Sequence, residues 1–176
     1  MPYPIVSEVT CYCLPEEGMA AAREFLSHLH DPGETWIIAS VIGITPLIIE
    51  LIAAHRKGVP LHLYLDQSHT SGKADRVQVN RLADAGVDVT VGTSLVGTGT
   101  LSHTKGVVVN GAVRWCWAGS VNFSESGWHA VDMAMVFYSP QWYERFVEEF
   151  RELRQYAWDH QGRLQVMKQP PAGVVV

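Results

Sequence analysis

A histidine, a lysine, a serine and an asparagine occur close together in one stretch of the sequence, as His103, Lys105, Ser120 and Asn122. Lysine can neutralise the non-bridging oxygens of a phosphate, serine and asparagine can donate hydrogen bonds to them, and histidine can attack phosphorus or transfer a proton. Neither a carboxylate nor a set of metal-ligating residues of convincing spacing is needed to assemble this group. The residue types therefore predict a site for a reactive anion that works without a metal or other cofactor.

A predicted hairpin brings these side chains together. The histidine and the lysine alternate along a predicted strand, Ser102–Val109, so both side chains are expected on one face. The dipeptide Asn110-Gly111 is typical of a tight two-residue turn, and Ala112–Ala118 is the predicted partner strand. The chain that follows the partner strand carries the serine and the asparagine, and we expect it to return near the start of the first strand.

A second group of basic side chains falls in a predicted polar loop and the helix after it. The loop is Gln67–Lys73 and the helix is Ala74–Ala85. His69, Lys73 and Arg76 either form a basic lip for a polyanion or are solvated surface groups, and the sequence favours neither interpretation. We keep Lys73 as a candidate substrate-binding residue beside Lys105, Ser120 and Asn122.

The spacing of the first group resembles the HKD motif of the phospholipase D superfamily. That motif reads His-x-Lys, four residues, Asp, and then, after several residues, Gly-Ser-x-Asn. The positions that fall on it are His103, Lys105, Gly119, Ser120 and Asn122. The surrounding chain, roughly from Thr35 to Trp158, also resembles the small single-motif bacterial endonucleases of this family. The resemblance is weak before Trp36 and absent after His160.

The chain departs from the family at one acidic position and matches it at another. The aspartate of the motif is replaced by Asn110. In the family this aspartate is mainly a structural hydrogen-bonding residue, so the resemblance implies that some activity survives the loss of its charge. A second acidic position, just before the strand that follows the motif, is filled by Asp132, and the resemblance implies that it orients the histidine across the site.

The resemblance also implies a reaction and an assembly. In the family, one histidine attacks phosphorus to form a phosphohistidine, and a second histidine on the opposite side protonates the leaving oxygen. Water then reverses these roles. The chain holds one copy of the motif, so two chains are expected to share a site as a homodimer.

Three functions remain open at this stage. The first is a metal-independent nuclease, with nucleic acid as substrate. The second is a hydrolase of phospholipids or other small diesters. The third is a degenerate, non-catalytic nucleic-acid-binding or scaffold protein, for which Asn110 and the acidic net charge are the arguments.

Composition sets limits on these functions. The chain has 176 residues, of which 47% are hydrophobic, and this length predicts a single domain over residues 1–160 with a loosely ordered tail over 161–176. The net charge of −5 argues against a protein whose whole surface binds polyanions, but not against a local basic groove. Three cysteines form a poor disulfide framework and predict a reduced, cytoplasmic protein.

The elements that must position the site follow an α/β pattern. Strands alternate with helices in the first half and a hairpin follows, which predicts a layered αβα sandwich with a mixed, partly parallel sheet. The apolar stretch from Trp36 to Ala54 is nearly long enough to span a membrane. Thr45-Pro46 is a strong helix start, however, so the stretch is better divided into a strand over Thr35–Ile42 and a helix over Pro46–Lys57. We therefore expect no stable membrane insertion.

Overall fold

The computed structural model describes residues 7–31, 33–95 and 100–161. The elements in chain order are β1 (Val9–Leu14), α1 (Gly18–Leu29), β2 (Glu34–Ala39), α2 (Thr45–Arg56), β3 (Leu61–Asp66), α3 (Gln67–Thr70), α4 (Lys73–Asp84), β4 (Asp88–Gly92), β5 (Lys105–Asn110), β6 (Arg114–Gly119), α5 (Glu125–Trp128), β7 (Asp132–Tyr138) and α6 (Pro140–Gln161).

The strands form one mixed sheet in the order β1-β7-β6-β5-β2-β3-β4. β2, β3 and β4 are parallel, and β5 lies antiparallel to β2 at the centre. β6, β7 and β1 continue the sheet in antiparallel fashion. The predicted α/β class, a layered fold with a mixed and partly parallel sheet, is confirmed.

Both faces of the sheet are covered by helices, because alternate residues of each central strand are apolar on both sides. Ile37 and Val107 belong to the core that α1, α2 and α4 share with the sheet. Ile38 and Val108, one residue further along, belong to the core beneath α6. Each such side chain stabilises the fold by about 1.5–3 kcal/mol when it is fully buried.

The strand ends that carry the candidate site residues lie together at one edge of the sheet. Ala39, near the carboxyl end of β2, is paired with Leu65 of β3 on one side and with Lys105, the first residue of β5, on the other. At the same edge, Gly119 ends β6 beside Ala134 of β7. We call this edge, which is bounded by residues 39, 66, 105, 119 and 132, the site edge.

The predicted two-residue turn at Asn110-Gly111 is wrong. Asn110 is the last residue of β5 and is paired with Arg114, so three residues, 111–113, form the loop. Gly111 does not have the positive φ that an Asn-Gly turn requires. The loop is instead fixed from outside the hairpin, since the Ala112 amide donates to Oδ2 of Asp31 at 3.1 Å. A Cβ on Gly111 would lie 2.2 Å from the same carboxylate oxygen.

The predicted strand Ser102–Val109 begins too early, because β5 starts at Lys105. The amide of Ser102 donates to Oδ2 of Asp66 at 2.7 Å, and this bond fastens the segment before β5 to the end of β3. His103 therefore lies outside the strand, and alternation along a strand is not what relates it to Lys105. The predicted polar loop Gln67–Lys73 is also partly wrong, since its first four residues form the short helix α3.

The long apolar stretch is divided as expected, into β2 and α2. No helix in the described part of the chain combines the length and apolar character needed to cross a membrane. Apart from Gln161, which ends α6, the predicted tail over 161–176 lies outside the described residues.

Candidate active site

The ammonium group of the site belongs to Lys105, which is buried at the start of β5. Its Nζ donates to the backbone oxygen of His103 at 2.7 Å. Burial lowers the pKa of Lys105, and the nearby carboxylate of Asp132 opposes this shift. None of the ion pairs formed between described residues includes Lys105. A buried ammonium without a direct carboxylate partner is a favourable site for an anion from solution.

The imidazole of the site, on His103, is exposed in the segment before β5. No hydrogen bond joins its ring nitrogens to any residue that the structure describes, so both atoms remain available for chemistry. Its ring centroid lies 6.0 Å from that of His69, with the two ring planes inclined at 41°. The structure therefore brings His103 and Lys105 together through the lysine's bond to the histidine backbone, although they do not share a strand.

The hydrogen-bond donors of the site follow β6. Gly119 is required there, because a Cβ would lie 2.3 Å from the backbone oxygen of Met133 and 2.9 Å from the Cα of Ala134. The amide of Ser120 donates to the same Met133 oxygen at 3.0 Å, which fixes the turn away from the sheet. Oδ1 of Asn122 accepts from Oγ of Ser40 at 2.8 Å. This bond orients the carboxamide, and its NH₂ group is left to donate.

Asp132 begins β7 and closes the other side of the site edge. Its Oδ1 accepts hydrogen bonds from Oγ of Ser120 and from the amide of Met133. Within the described residues, no hydrogen bond joins it to His103 of its own chain. Asp132 thus holds the serine and partly balances the charge of Lys105, while its expected role of orienting a histidine across the site stays a prediction.

Lys73 lies further out than the other candidates. It is the exposed first residue of α4, three residues beyond the end of α3. Among the described residues it makes no hydrogen bond or ion pair with His103, Lys105, Ser120 or Asn122. Its contribution to a basic lip stays a prediction.

Sequence reasoning missed Asp66 as a component of the site. Its side chain is fully buried at the end of β3, where Oδ1 accepts from the amide of Ser68 at 3.0 Å. The same oxygen lies 3.2 Å from Nδ1 of His69, and Oδ2 accepts the Ser102 amide. Burial acts to raise the pKa of Asp66, but the hydrogen bonds from Ser68, Ser102 and His69 outweigh it and hold the pKa below its ordinary value. The available signal was an aspartate that ends a strand and caps the helix after it.

Asn110, which occupies the aspartate position of the motif, lies far from these groups. It ends β5, five residues from Lys105, which corresponds to roughly 16 Å along a strand. It lines a surface depression with Glu34 and with residues of α6, among them Tyr143. Lys105 lies on the opposite face of β5, together with Val107 and Val109, which belong to the core shared with α1, α2 and α4. The substitution therefore affects the end of the hairpin opposite to the site edge.

The described residues contain no group of three or more His, Cys, Asp or Glu side chains that could hold a metal ion.

The fold is shared with solved structures of low sequence identity. Nuc from Salmonella typhimurium, a phospholipase D family member, has a TM-score of 0.73 at 21% identity, and the match covers 86% of this chain and 96% of Nuc. NucT from Helicobacter pylori has a TM-score of 0.74 at 11% identity, covering 86% and 98%. Phosphatidylserine synthase from Haemophilus influenzae has a TM-score of 0.62 at 13% identity, covering 89% of this chain and 40% of the synthase.

Sequence comparison agrees with the fold. No curated protein matches the chain. The family model described as "Cardiolipin synthase, PLD-like domain" matches residues 32–154, which is most of the chain and includes every residue of the candidate site. The chain therefore belongs to the phospholipase D-like family.

Proposed function

We propose that the chain is a metal-independent phosphodiesterase that cleaves nucleic acid through a phosphohistidine intermediate. The observation that carries this proposal is the convergence at one edge of the sheet of a buried ammonium, the carboxamide NH₂ of Asn122, and an imidazole whose ring nitrogens make no hydrogen bond to a described residue. Such a set binds and neutralises a phosphate while it leaves a nucleophile free. The resemblance of the chain to small endonucleases of the family favours nucleic acid as the substrate.

In the proposed first step, a ring nitrogen of His103 attacks phosphorus and forms an N–P bond. The bond between phosphorus and one ester oxygen breaks, and that oxygen takes a proton from a second histidine. In the second step, water gives a proton to that second histidine and attacks phosphorus, which releases His103 and the phosphate monoester. Lys105 and Asn122 stabilise the charge on the non-bridging oxygens in both steps, and Ser120 joins them when its hydroxyl turns from Asp132 to the phosphate.

The second histidine is proposed to be His103 of another copy of the chain. Three apolar side chains at the site end of β7, namely Val131, Met133 and Met135, support this arrangement and are called the β7 patch. They are 94%, 63% and 42% exposed. The patch flanks Asp132 at the site edge, while Phe137 of the same strand is buried against Trp142 of α6. A two-fold axis beside this patch would cover it and would bring two site edges together.

A cytoplasmic location is part of the same proposal. The three cysteines are free, with Cys11 and Cys13 exposed on β1 and Cys116 buried. Free, exposed thiols are typical of proteins that work in a reducing compartment.

Hydrolysis of a phospholipid is the second candidate function, and one observation favours it. An apolar groove of about 330 Å³ lies between α1 and α2 and is lined by Phe25, Leu47, Phe123 and Trp128. Phe123 directly follows Asn122, so an acyl chain in the groove would lie next to the site.

The test offers single- and double-stranded DNA and RNA, phospholipid vesicles and bis(p-nitrophenyl) phosphate to the purified protein in excess chelator. We expect cleavage of nucleic acid at an unchanged rate in chelator. His103→Ala should lower turnover about a thousandfold or more, because the nucleophile is lost, without lowering Tm.

His30→Ala is the matched control, since His30 is another partly exposed histidine near the opposite edge of the sheet. It should keep full activity. An activity that needs added magnesium or zinc, or that survives in His103→Ala, would contradict the proposed mechanism. Cleavage confined to vesicles would favour the second candidate, and the absence of any cleavage would favour a non-catalytic binding protein.

A further inference from the structure

A second imidazole of the same chain lies beside the proposed nucleophile. His69 belongs to α3 and His103 to the segment before β5, 34 residues later in the chain. The two ring centroids are 6.0 Å apart. Because an N–H···O hydrogen bond spans about 2.9 Å, rings at this separation can reach different atoms of one phosphate group.

The buried carboxylate of Asp66 fixes the position of both histidines. Its Oδ1 lies 3.2 Å from Nδ1 of His69 and also accepts the His69 amide at 3.3 Å. Its Oδ2 accepts the amide of Ser102, the residue directly before His103, at 2.7 Å. The carboxylate is fully buried, so water does not compete for these bonds. One side chain thereby holds His69 and the backbone beside His103 against the end of β3.

The bond to Asp66 also determines how His69 can interact with an anion. An ionised carboxylate only accepts hydrogen bonds, so the proton of the pair is on Nδ1. Nε2, on the other side of the ring, makes no hydrogen bond to a described residue, and the side chain is 38% exposed. An imidazolium ring donates from both nitrogens, so a protonated His69 that is bonded to Asp66 through Nδ1 can also donate from Nε2 to an anion.

We propose that His69 is a further phosphate-binding residue, which donates from Nε2 to a non-bridging oxygen of the phosphodiester that His103 attacks. This inference rests on the proposed function and deepens it. Asp66 is then a positioning residue that acts through both histidines. Lys105 neutralises the same phosphate from the start of β5, so the two side chains approach it from different elements.

The test compares His69→Gln with His30→Gln. His30 is a matched control because its ring also pairs with a carboxylate, here through Nε2 to Glu50 at 2.7 Å. It lies next to Asp31, which bonds the hairpin loop at the opposite edge of the sheet. Binding of inorganic phosphate is measured by NMR titration, and KM and kcat are measured with bis(p-nitrophenyl) phosphate. His69→Asn serves as a second variant if His69→Gln lowers Tm.

We expect His69→Gln to weaken phosphate binding and to raise KM, each by about tenfold, because a charge-assisted hydrogen bond is lost. We expect kcat to stay within about twofold, since a contact made equally in the ground state and the transition state affects binding alone. His30→Gln should leave all three quantities unchanged.

Several outcomes would overturn the inference. They are unchanged phosphate binding in His69→Gln, an equal loss in His30→Gln, and a fall in kcat at constant KM, which would make His69 a proton-transfer group. Failure of the proposed function looks different. If wild-type protein binds phosphate through His69 but turns over no diester, the binding role stands and the proposed phosphodiesterase does not.

Discussion

At the scale of single residues, the site depends on an ammonium that forms no ion pair with a carboxylate in the described part of the chain. Lys105 is buried and donates to a backbone oxygen, while Asp132 is bound to Ser120 and influences the lysine only through its charge. A substrate phosphate can therefore become the direct counter-ion of Lys105. The residue at the aspartate position of the motif, Asn110, contributes nothing to this arrangement, because it lies at the opposite end of β5.

The position of Asn110 predicts the effect of restoring the aspartate. Asn110 is paired with Glu34 of β2 on one side and with Arg114 of β6 on the other, so Asn110→Asp places its charge between a like and an opposite charge. Each such cross-strand pair contributes about 0.2–1 kcal/mol, and the two contributions have opposite signs. We expect a Tm close to that of wild type at both low and high salt, and turnover that is equal or higher.

Thermal unfolding at two salt concentrations and a turnover assay would check this prediction. A clear fall in turnover would show that the site depends on the amide itself. A large change of Tm at low salt that disappears at high salt would show that Glu34 and Arg114 do not balance each other at this position.

The residues of the motif could be predicted from the sequence, and their surroundings could not. The types and spacing of His103, Lys105, Ser120 and Asn122 were enough to select them. Asp66 was missed, and His69 was recognised only as a candidate basic group, because their importance comes from contacts with Ser102 and His103, more than thirty residues later in the chain. Burial of a carboxylate and the partners that satisfy it are properties of the folded chain.

At the scale of elements, Asp66 joins three parts of the fold. It ends β3, caps α3 through the amides of Ser68 and His69, and holds the segment before β5 through the amide of Ser102. These hydrogen bonds keep the pKa of Asp66 below its ordinary value despite burial, so they stabilise the ionised carboxylate in the folded chain.

This arrangement predicts a specific loss of stability in acid. Because the pKa is lowered on folding, the contribution of Asp66 is fully present above its ordinary pKa of about 3.9 and is lost as the pH falls through the lowered value. Asp66→Asn lacks this contribution. We expect wild type to be more stable than Asp66→Asn by about 1–3 kcal/mol at pH 7, with a smaller difference in acid.

Urea unfolding at pH 7 and at several acidic pH values would measure both differences. Asp84→Asn, which changes an exposed carboxylate of α4, is the control and should differ from wild type by less than about 0.5 kcal/mol throughout. A difference between wild type and Asp66→Asn that is independent of pH would contradict the account.

Most elements were predictable because their signals are local. Thr45-Pro46, the first two residues of α2, predicted the bounds of this helix to within one residue. The predicted hairpin turn was wrong because Asp31, which is remote in sequence, determines the conformation of the loop. The predicted start of β5 was wrong for a similar reason, since Asp66 binds the amide of Ser102 and holds it outside the strand.

At the scale of the whole molecule, the sheet order explains how distant segments build one site. Parallel β2 and β3 end at the edge where antiparallel β5 and β7 begin, so residues 39, 66, 105 and 132 come together there. The sequence predicted a mixed sheet but not this order, which depends on pairings between strands far apart in the chain. The β7 patch continues the same edge as an exposed apolar surface, and we propose that a second copy of the chain covers it.

The central claim is that two chains supply one phosphodiesterase site, each with its own His103. The most direct test mixes wild-type protein with an equal amount of His103→Ala protein, unfolds the mixture and refolds it together. Random pairing gives roughly one quarter wild-type dimers and one half mixed dimers. A mixed dimer has one histidine at its shared site and should be nearly inactive, so activity per wild-type chain should fall to about half. Unchanged activity per wild-type chain after verified subunit exchange, or an active monomer in sedimentation, would contradict the shared site and the mechanism based on it.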